Sequence, residues 1–312
     1  MFPFIPRPFA SLRVTALWML VALGTAGRAE EIKRMEPLLG TYVEITARGP
    51  DKDAMQRAVD AGFDAFRQVD RLISSYRDDS EVGRINAHAG RGPVAVSPWT
   101  FECLKKAVEV GERSGGAFDI TCRPLLDLWG FLKKEYRVPT EFELRFARDL
   151  VDYRRLELVG WPAGRSGAAR RTAFLRQSGM TLDLGGIGKG FAVDKAVAAL
   201  KAAGVDAGRV RAWGDCFGFG ARDWTVEIEP GKTVVLRNEA ASTSGDYENF
   251  FEKGGRHYAH IVDPKTGVPV EGIRSVTVKA RTCTESDAWA TAIYVNPALK
   301  PRGIQVVYLE RK

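Results

Sequence analysis

Hydrophobic and polar positions follow two different periods in the first half of this chain. Residues 39–47 alternate with a period of two, which is typical of a half-buried strand. The apolar residues that follow recur at spacings of four and three, which predicts an amphipathic helix of about five turns. Its apolar stripe consists of Met55, Val59, Gly62, Phe66, Val69 and Ile73. Ser97 and Pro98 predict the capped start of another helix, which Gly115 and Gly116 end.

Short strand-like patterns dominate the second half. Residues 180–184 predict a strand that leads into the glycine-rich loop GGIGKG at 185–190, and the alanine-rich stretch 191–203 predicts a helix. Further strands are predicted at 210–215, 224–230, 233–238, 257–262, 275–280 and 304–309, and a helix at 285–294. Helices and strands mix without a strict βαβ alternation. The pattern therefore predicts an α+β fold of mixed sheets packed with helices, formed by a single domain over residues 30–312.

The first 29 residues have the pattern of a signal peptide. Arg7 and Arg13 provide a basic region, residues 14–23 are apolar, and Gly27-Arg28-Ala29 is a small-residue cleavage site. This apolar run is short for a transmembrane helix, which needs about 20 residues. We expect cleavage, export to the periplasm and no membrane span afterwards. An uncleaved anchor is the alternative.

Charge and cysteine content narrow the classes of function. The formal net charge is +7, and it falls to +4 over residues 30–312 because the first 29 residues carry three arginines and no acidic residue. This small, dispersed charge argues against a nucleic-acid partner. The four cysteines allow three disulfide pairings and none lies in a CxxC motif, so we expect them to be buried or loosely paired rather than catalytic. They are Cys103, Cys122, Cys216 and Cys283.

Asp287 and Thr291 are the first candidate site residues. On a helix, their spacing of four places a carboxylate and a hydroxyl on one face. These hard oxygen atoms suit Mg²⁺ and its phosphate ligands better than zinc. The structural alternative is a first-turn Asp that favours the helix dipole and a Thr that packs inside.

The loop DLGGIGKG is the second candidate. Its glycines let the backbone approach a ligand closely and leave amides open at a helix N-terminus. Gly190 follows Lys189 where a P-loop has Ser or Thr, and the GxGxxG spacing is absent, so neither nucleotide fingerprint fits. A tight turn is the structural alternative. Asp183 and Lys189 favour a binding site, because a turn requires neither.

The order and the amino-acid sequences of these motifs resemble those of the ApbE family. The matching segments are LGTYVEI, SSYRDDSEVGRIN, GGAFDIT, DLGGIGKGFAVD, TSGDYENFF, HIVDPKTGVPV and SDAWATA, which together extend over about residues 39–295. Members of this family are flavin transferases that take FMN from FAD and attach it to a Thr or Ser of a target protein. The resemblance implies an ApbE-like, T-fold-like architecture. Two departures stand out, since Leu39 replaces a more usual Met and Trp213 replaces a more usual Gly.

The resemblance also implies roles for individual residues. Mg²⁺ would be held by Asp287, Thr291 and the backbone of Gly186, with Gly188 as the alternative to Gly186. The contacts to FAD would come from Leu39, Tyr76, Ala117, Phe118, Asp119, Asp183, Lys189 and Ile261. Weaker candidates for the same role are Asn86, Gly245 and Asp246. His260 would be the catalytic base, since an unperturbed His titrates near about 6.5, whereas His257 is expected to be structural.

The implied activity is that of a Mg²⁺-dependent FAD:protein FMN transferase. A hydroxyl of the acceptor attacks the FMN phosphorus of FAD, AMP leaves, and a phosphoester joins FMN to the acceptor. The expected acceptor is a subunit of a redox complex or an FMN-binding domain protein. Two alternatives stay open, a Mg²⁺-dependent FAD pyrophosphatase that uses water as the acceptor, and a non-catalytic periplasmic FAD-binding protein.

Overall fold

The computed structural model describes residues 30–161, 170–229 and 231–312. These residues form fourteen strands and seven α-helices. The strands are β1 (Glu30–Leu38), β2 (Thr41–Gly49), β3 (Val94–Ala95), β4 (Leu156–Trp161), β5 (Arg170–Leu175), β6 (Ala207–Ala212), β7 (Asp215–Phe219), β8 (Trp224–Glu229), β9 (Lys232–Leu236), β10 (Glu239–Gly245), β11 (Phe250–Lys253), β12 (Arg256–Ala259), β13 (Ile273–Ala280) and β14 (Gln305–Arg311). The helices are α1 (Lys52–Ile73), α2 (Glu81–Ala87), α3 (Pro98–Arg113), α4 (Arg123–Leu128), α5 (Glu141–Arg148), α6 (Gly188–Ala202) and α7 (Cys283–Val295).

One seven-stranded antiparallel sheet organises the fold. Its strand order is β1-β2-β6-β7-β10-β13-β14. A three-stranded sheet (β3-β5-β4) and two hairpins, β8-β9 and β11-β12, complete the β structure of the described residues. The architecture is α+β, with several antiparallel sheets and seven helices, which confirms the predicted α+β class.

Three helices form the core with the large sheet. Helix α6 packs between α1 and α7, and α7 packs on β10 and β13. Phe63 and Phe66 of α1, Phe191 of α6, and Trp289 and Tyr294 of α7 are fully buried there. Burial of such large apolar side chains is the main stabilising contribution in a fold of this kind. The core therefore fixes the N-terminus of α6 against one face of α7.

Several local predictions are confirmed. Helix α1 contains the predicted stripe, and Ser97 caps α3 by accepting a hydrogen bond from the backbone N–H of Thr100. Helix α7 includes both Asp287 and Thr291, and it begins at Cys283 after the N-cap Thr282. Asp287 therefore lies beyond the first turn, so the structural alternative of a dipole-stabilising first-turn Asp is wrong.

The predicted strand at 180–184 is wrong. The backbone of Leu182 pairs instead with the side-chain amide of Asn86. The amide nitrogen donates to the Leu182 carbonyl at 3.2 Å, and the amide oxygen accepts from the Leu182 N–H at 2.7 Å. The N–H of Asp183 donates to the Ile120 carbonyl at 2.8 Å. Because a side chain and a loop carbonyl satisfy this backbone, no strand ladder forms here. The apolar pattern gave no sign of these partners.

The strand predicted at 39–47 is shifted, and the strand β1 before it was not anticipated. Leu38 pairs with Thr41, so Leu39 and Gly40 form a two-residue hairpin turn with φ of 53° and 69°. The predicted strand at 210–215 is likewise interrupted, since Trp213 and Gly214 form the turn between β6 and β7.

The proposed signal peptide at residues 1–29 lies outside the described residues. None of the helices in the described ranges is both long and apolar enough to cross a bilayer. All four cysteines are free thiols, three of them buried, and burial raises the pKa of each. They are therefore poor nucleophiles, as expected for packed rather than catalytic cysteines.

Candidate active site

A cleft opens where the glycine-rich loop, the N-terminus of α6 and one face of α7 meet. It has an empty volume of about 1080 Å³, its open mouth included. Most of the predicted site residues line it, namely Tyr76, Ala117, Phe118, Asp119, Asp183, Gly186, Lys189, His260, Ile261, Asp287 and Thr291. Leu39 lines an adjoining cavity that shares Tyr76, Gly185 and Lys189 with the cleft. The fold thus brings together segments that lie far apart in the sequence.

The close packing of α6 on α7 forms one end of the cleft. A Cβ atom at Gly190 would lie 2.3 Å from the carbonyl oxygen of Cys283 and 2.7 Å from the Cβ of Asp287. Only glycine permits this contact, and it lets the Gly190 N–H donate to Oδ2 of Asp287 at 2.9 Å. Asp287 is buried apart from 5% of its surface. Its carboxylate is therefore fixed by the backbone of the neighbouring helix.

Thr291 and Gly186 lie side by side at this end. A Cβ atom at Gly186 would lie 3.1 Å from Oγ1 of Thr291, so glycine keeps the hydroxyl open to the cleft. Oγ1 also lies 3.2 Å from the Ser244 hydroxyl of β10. We call Gly186, Lys189, Asp287 and Thr291 the phosphate end of the cleft.

The donor set of the phosphate end fits Mg²⁺. Oδ1 of Asp287 makes no hydrogen bond to any described residue, and Asp287 lines the cleft together with Thr291 and Gly186. Among the described residues, no three or more His, Cys, Asp or Glu side chains are grouped to hold a metal. The predicted set contains a single carboxylate. Magnesium sites commonly use one or two carboxylates and complete the shell with phosphate oxygens and water.

Lys189 supplies the positive charge of the phosphate end. Its Nζ lies 3.2 Å from the Gly185 carbonyl oxygen, to which it donates, and 3.7 Å from Oδ2 of Asp215. Burial alone would lower the pKa of Lys189, but the Asp287 and Asp215 carboxylates outweigh it and raise the pKa. Burial raises the pKa of Asp287 and of Asp215. Lys189 is therefore charged at neutral pH, and it partly compensates the buried carboxylates.

Two other predicted carboxylates are engaged within the fold. Asp183 accepts from the Ser75 hydroxyl at 2.9 Å, from Arg123 at 3.2 Å and from the Gly185 N–H at 2.8 Å. Asp119 accepts from the backbone and hydroxyl of Thr121 and from the Tyr153 N–H. These contacts shape the loops of the cleft. Asp119 is 8% exposed, so its carboxylate offers little surface to a ligand.

His260 follows β12 and also lines the cleft. Its backbone N–H donates to the Asn249 carbonyl at 2.9 Å. Its Nδ1 is buried, and neither ring nitrogen makes a hydrogen bond to a described residue. Burial lowers the pKa of His260 and outweighs the nearby Glu248 carboxylate, which raises it. The imidazole is therefore neutral at pH 7 and able to accept a proton.

His257 lies only three residues away but has a different environment. Its Nε2 lies 3.2 Å from the Asp246 carbonyl oxygen, and its ring stacks on Phe250 at 4.5 Å. It does not line the cleft, in agreement with the structural role expected for it. Asp246 and Asn86, two weaker candidates, do not line the cleft either, whereas Gly245 does. Asp246 is buried in an ion pair with Lys312, and the amide of Asn86 is used by Leu182.

Comparison with known sequences decides the family. The sequence model of the ApbE family matches residues 39–306. The chain belongs to the ApbE family. This interval contains every predicted site residue, so the family match covers the whole cleft.

Relatives within the ApbE family include two proteins named FAD:protein FMN transferase. The one from Treponema pallidum is 34% identical over 303 residues, which cover 89% of this chain and 83% of the relative. The one from Vibrio cholerae is 32% identical over 297 residues, which cover 89% and 85%.

Solved ApbE structures share the fold. The ApbE protein from Thermotoga maritima superposes with a TM-score of 0.78 at 28% identity, covering 90% of this chain and 97% of that one. The apo form of the Pseudomonas stutzeri flavinyl transferase ApbE superposes with a TM-score of 0.73 at 30% identity, covering 86% and 85%.

The structure adds two residues that the sequence patterns did not single out, one in the cleft and one beside it. Glu248 lines the cleft, and its Oε1 accepts from the indole N–H of Trp213 at 2.5 Å. Arg123 reaches Asp183 and lies 5.5 Å above the ring of Tyr76. Glu248 lies within the family segment TSGDYENFF, which was one available signal. Arg123 carried no such signal, because its place depends on the pairing of distant loops. We call Trp213, Glu248, Asn249 and His260 the histidine end of the cleft.

Proposed function

We propose that this chain is a Mg²⁺-dependent FAD:protein FMN transferase. The observation that carries the proposal is the presence of two chemically distinct groups of residues in one cleft. The phosphate end presents a fixed carboxylate, a hydroxyl and a cation, while the histidine end presents a neutral imidazole without a hydrogen-bond partner among the described residues. The names of the relatives in Treponema pallidum and Vibrio cholerae support the same activity.

The residues of the phosphate end would hold the pyrophosphate of FAD. Asp287, Thr291 and the backbone of Gly186 would bind Mg²⁺, and Lys189 would face the phosphate oxygens. When bound, Mg²⁺ offsets the negative charge of the pyrophosphate and orients the phosphoryl group for in-line displacement. The walls of the cleft formed by Tyr76, Phe118 and Ile261 would contact the flavin and adenosine groups, with Leu39 in the adjoining cavity.

The acceptor hydroxyl would react at the histidine end. His260 takes the proton of a Ser or Thr hydroxyl of the acceptor, and the hydroxyl oxygen attacks the FMN phosphorus. The new P–O bond joins FMN to the acceptor, the pyrophosphate P–O bond to AMP breaks, and AMP leaves with the electron pair. A neutral, positioned base of this kind is needed because a hydroxyl is a weak nucleophile at neutral pH.

A single reaction series tests this proposal. The purified chain is incubated with FAD, Mg²⁺ and a candidate FMN-binding domain protein or redox-complex subunit, and both the mass of the acceptor and the free AMP are measured. A transferase adds one FMN to the acceptor for each AMP released. AMP with an unmodified acceptor would identify a FAD pyrophosphatase, and FAD binding without AMP a carrier. The same series with EDTA in place of Mg²⁺ tests the metal, since undiminished transfer would contradict the assignment.

We also propose export to the periplasm, on the basic and apolar pattern of residues 1–29. The test is to fractionate cells that express the full chain and to determine the N-terminus of the product. A periplasmic protein that begins at Glu30 is expected. A product in the membrane fraction that keeps its first residues would identify an uncleaved anchor instead.

A further inference from the structure

Trp213 and Glu248 form a pair in the cleft to which the transfer described above gives no role. Trp213 is the first residue of the two-residue turn between β6 and β7, and its φ of 56° lies in the left-handed region. This conformation is unfavourable for a residue with a side chain and is normally taken by glycine. Strain of this kind is often found at functional sites.

The position of the indole is not explained by core packing. Trp213 is 52% exposed, and its ring lines the cleft rather than the interior. Its N–H donates to Oε1 of Glu248 at 2.5 Å. Since a Trp N–H is a donor only, the contact fixes the carboxylate without neutralising it.

Glu248 is an exposed carboxylate without an ion-pair partner among the described residues. No cationic nitrogen of a described residue lies within 4.0 Å of this carboxylate, whereas Asp183 is paired with Arg123 and Asp215 with Lys189. A pyrophosphate is an anion, so an unpaired carboxylate in the same cleft weakens its binding. Glu248 therefore suits a group that donates hydrogen bonds.

Glu248 also lies next to the place of proton transfer. The carbonyl of the following residue, Asn249, accepts from the backbone N–H of His260 at 2.9 Å. The side chain of Asn249 is held by Phe131 and Tyr136, which fixes this segment. Glu248 and His260 line the same cleft, and no ion pair within 4.0 Å joins them among the described residues.

We propose that Glu248, held in place by Trp213, binds the acceptor protein. Its carboxylate accepts hydrogen bonds from N–H donors of the segment that carries the reactive Ser or Thr, and it repels acidic side chains beside that residue. Glu248 thereby binds the acceptor segment in the cleft that contains His260, at some cost in affinity for FAD. The inference rests on the proposed transferase function and names the chemistry of its protein substrate.

The test measures the kinetics of acceptor labelling and the affinity for FAD separately. Kinetics are followed with a purified FMN-binding domain protein that the wild-type chain labels, and FAD binding is followed by flavin fluorescence. The variant Glu248→Gln is expected to raise the KM for the acceptor about tenfold, with kcat within about twofold, because the negative charge that strengthens its hydrogen bonds to the acceptor is lost. Its Kd for FAD stays unchanged or decreases, because a repulsive charge has been removed.

Two further variants make the test specific. Trp213→Phe keeps an aromatic ring but removes the N–H, and it is expected to raise the acceptor KM about threefold. Glu252→Gln is the matched control, because Glu252 is an exposed carboxylate of β11 outside the cleft, and it should behave as wild type.

An unchanged acceptor KM in Glu248→Gln, or a weaker affinity of that variant for FAD, would overturn the inference. Failure of the proposed function gives a different result, since the wild-type chain would then release AMP, or bind FAD, without labelling any acceptor.

Discussion

The two ends of the cleft are built differently. At the phosphate end, Asp287 and Thr291 belong to a core helix, and each has a partner within the fold. At the histidine end, the ring of His260 has no hydrogen-bond partner among the described residues, and Trp213 and Glu248 are exposed. The difference indicates that the two groups of residues serve different substrates, a division of labour between FAD and the acceptor protein. A site for an invariant substrate, FAD, can be fixed by the core, whereas a site for a protein hydroxyl must stay open.

The largest expected effect concerns the phosphate end. Asp287→Asn is nearly isosteric and can still accept from the Gly190 N–H, but it removes the charge that would bind Mg²⁺. We expect transfer to fall about a thousandfold, since such charge stabilisation is worth several kcal/mol. The rate is measured against Mg²⁺ concentration. A variant with the wild-type rate and the same Mg²⁺ dependence would show that Asp287 is not a metal ligand.

The two neighbouring histidines provide a matched pair for the other end. His260→Ala is expected to lower kcat at least about a hundredfold at saturating FAD and Mg²⁺, because the general base is lost. His257→Ala removes the stacking on Phe250 and the contact with Asp246, so it should lower stability by about 1 kcal/mol and leave kcat within about twofold. Flavinylation of a known acceptor at the wild-type rate by His260→Ala would contradict the role given to His260.

The contact between α6 and α7 is tested through stability. Gly190→Ala places a methyl group against the Cys283 carbonyl, and we expect it to lower the free energy of unfolding by about 2–3 kcal/mol. Gly204→Ala, at the other end of α6, meets open space and suffers only from its φ of 81°, so it should cost about 1 kcal/mol. Urea denaturation measures both. Equal losses would mean that close packing does not fix the phosphate end.

The smallest expected effect is the dependence of the transfer rate on pH. Because burial lowers the pKa of His260 below its ordinary value, the base is already deprotonated at pH 7. The rate should therefore change little between about pH 7 and 8, and should decline only as the pH falls below about 6.5. The profile of kcat/KM for the acceptor measures this. A rate that rises steeply above pH 7 would indicate a base with a higher pKa.

The sequence predicted the helices of the site better than its loops. The apolar stripe of α1 and the cap of α3 depend on neighbours within a few residues, so local patterns were sufficient. The spacing of Asp287 and Thr291 likewise follows from helix geometry alone. Residues 180–184 could not be predicted correctly, because their hydrogen bonds come from Asn86 and Ile120, which are distant in the chain.

The same limit applies to the histidine end. The motif containing His260 was visible in the sequence, but its missing hydrogen bonds are a property of the folded surroundings. The strained turn at Trp213 and its bond to Glu248 connect residues 35 positions apart. Pairings of this kind have no local signature. The contact between Glu248 and Trp213 therefore became visible only in the structure.

The affinity for FAD, measured by flavin fluorescence with and without Mg²⁺, tests the division of labour most directly. It is determined for the wild-type chain, Asp287→Asn and His260→Ala in one series. We predict that Mg²⁺ tightens FAD binding in the wild-type chain and in His260→Ala to the same extent, and that Asp287→Asn loses this gain. Loss of the gain in His260→Ala, or its retention in Asp287→Asn, would contradict the account.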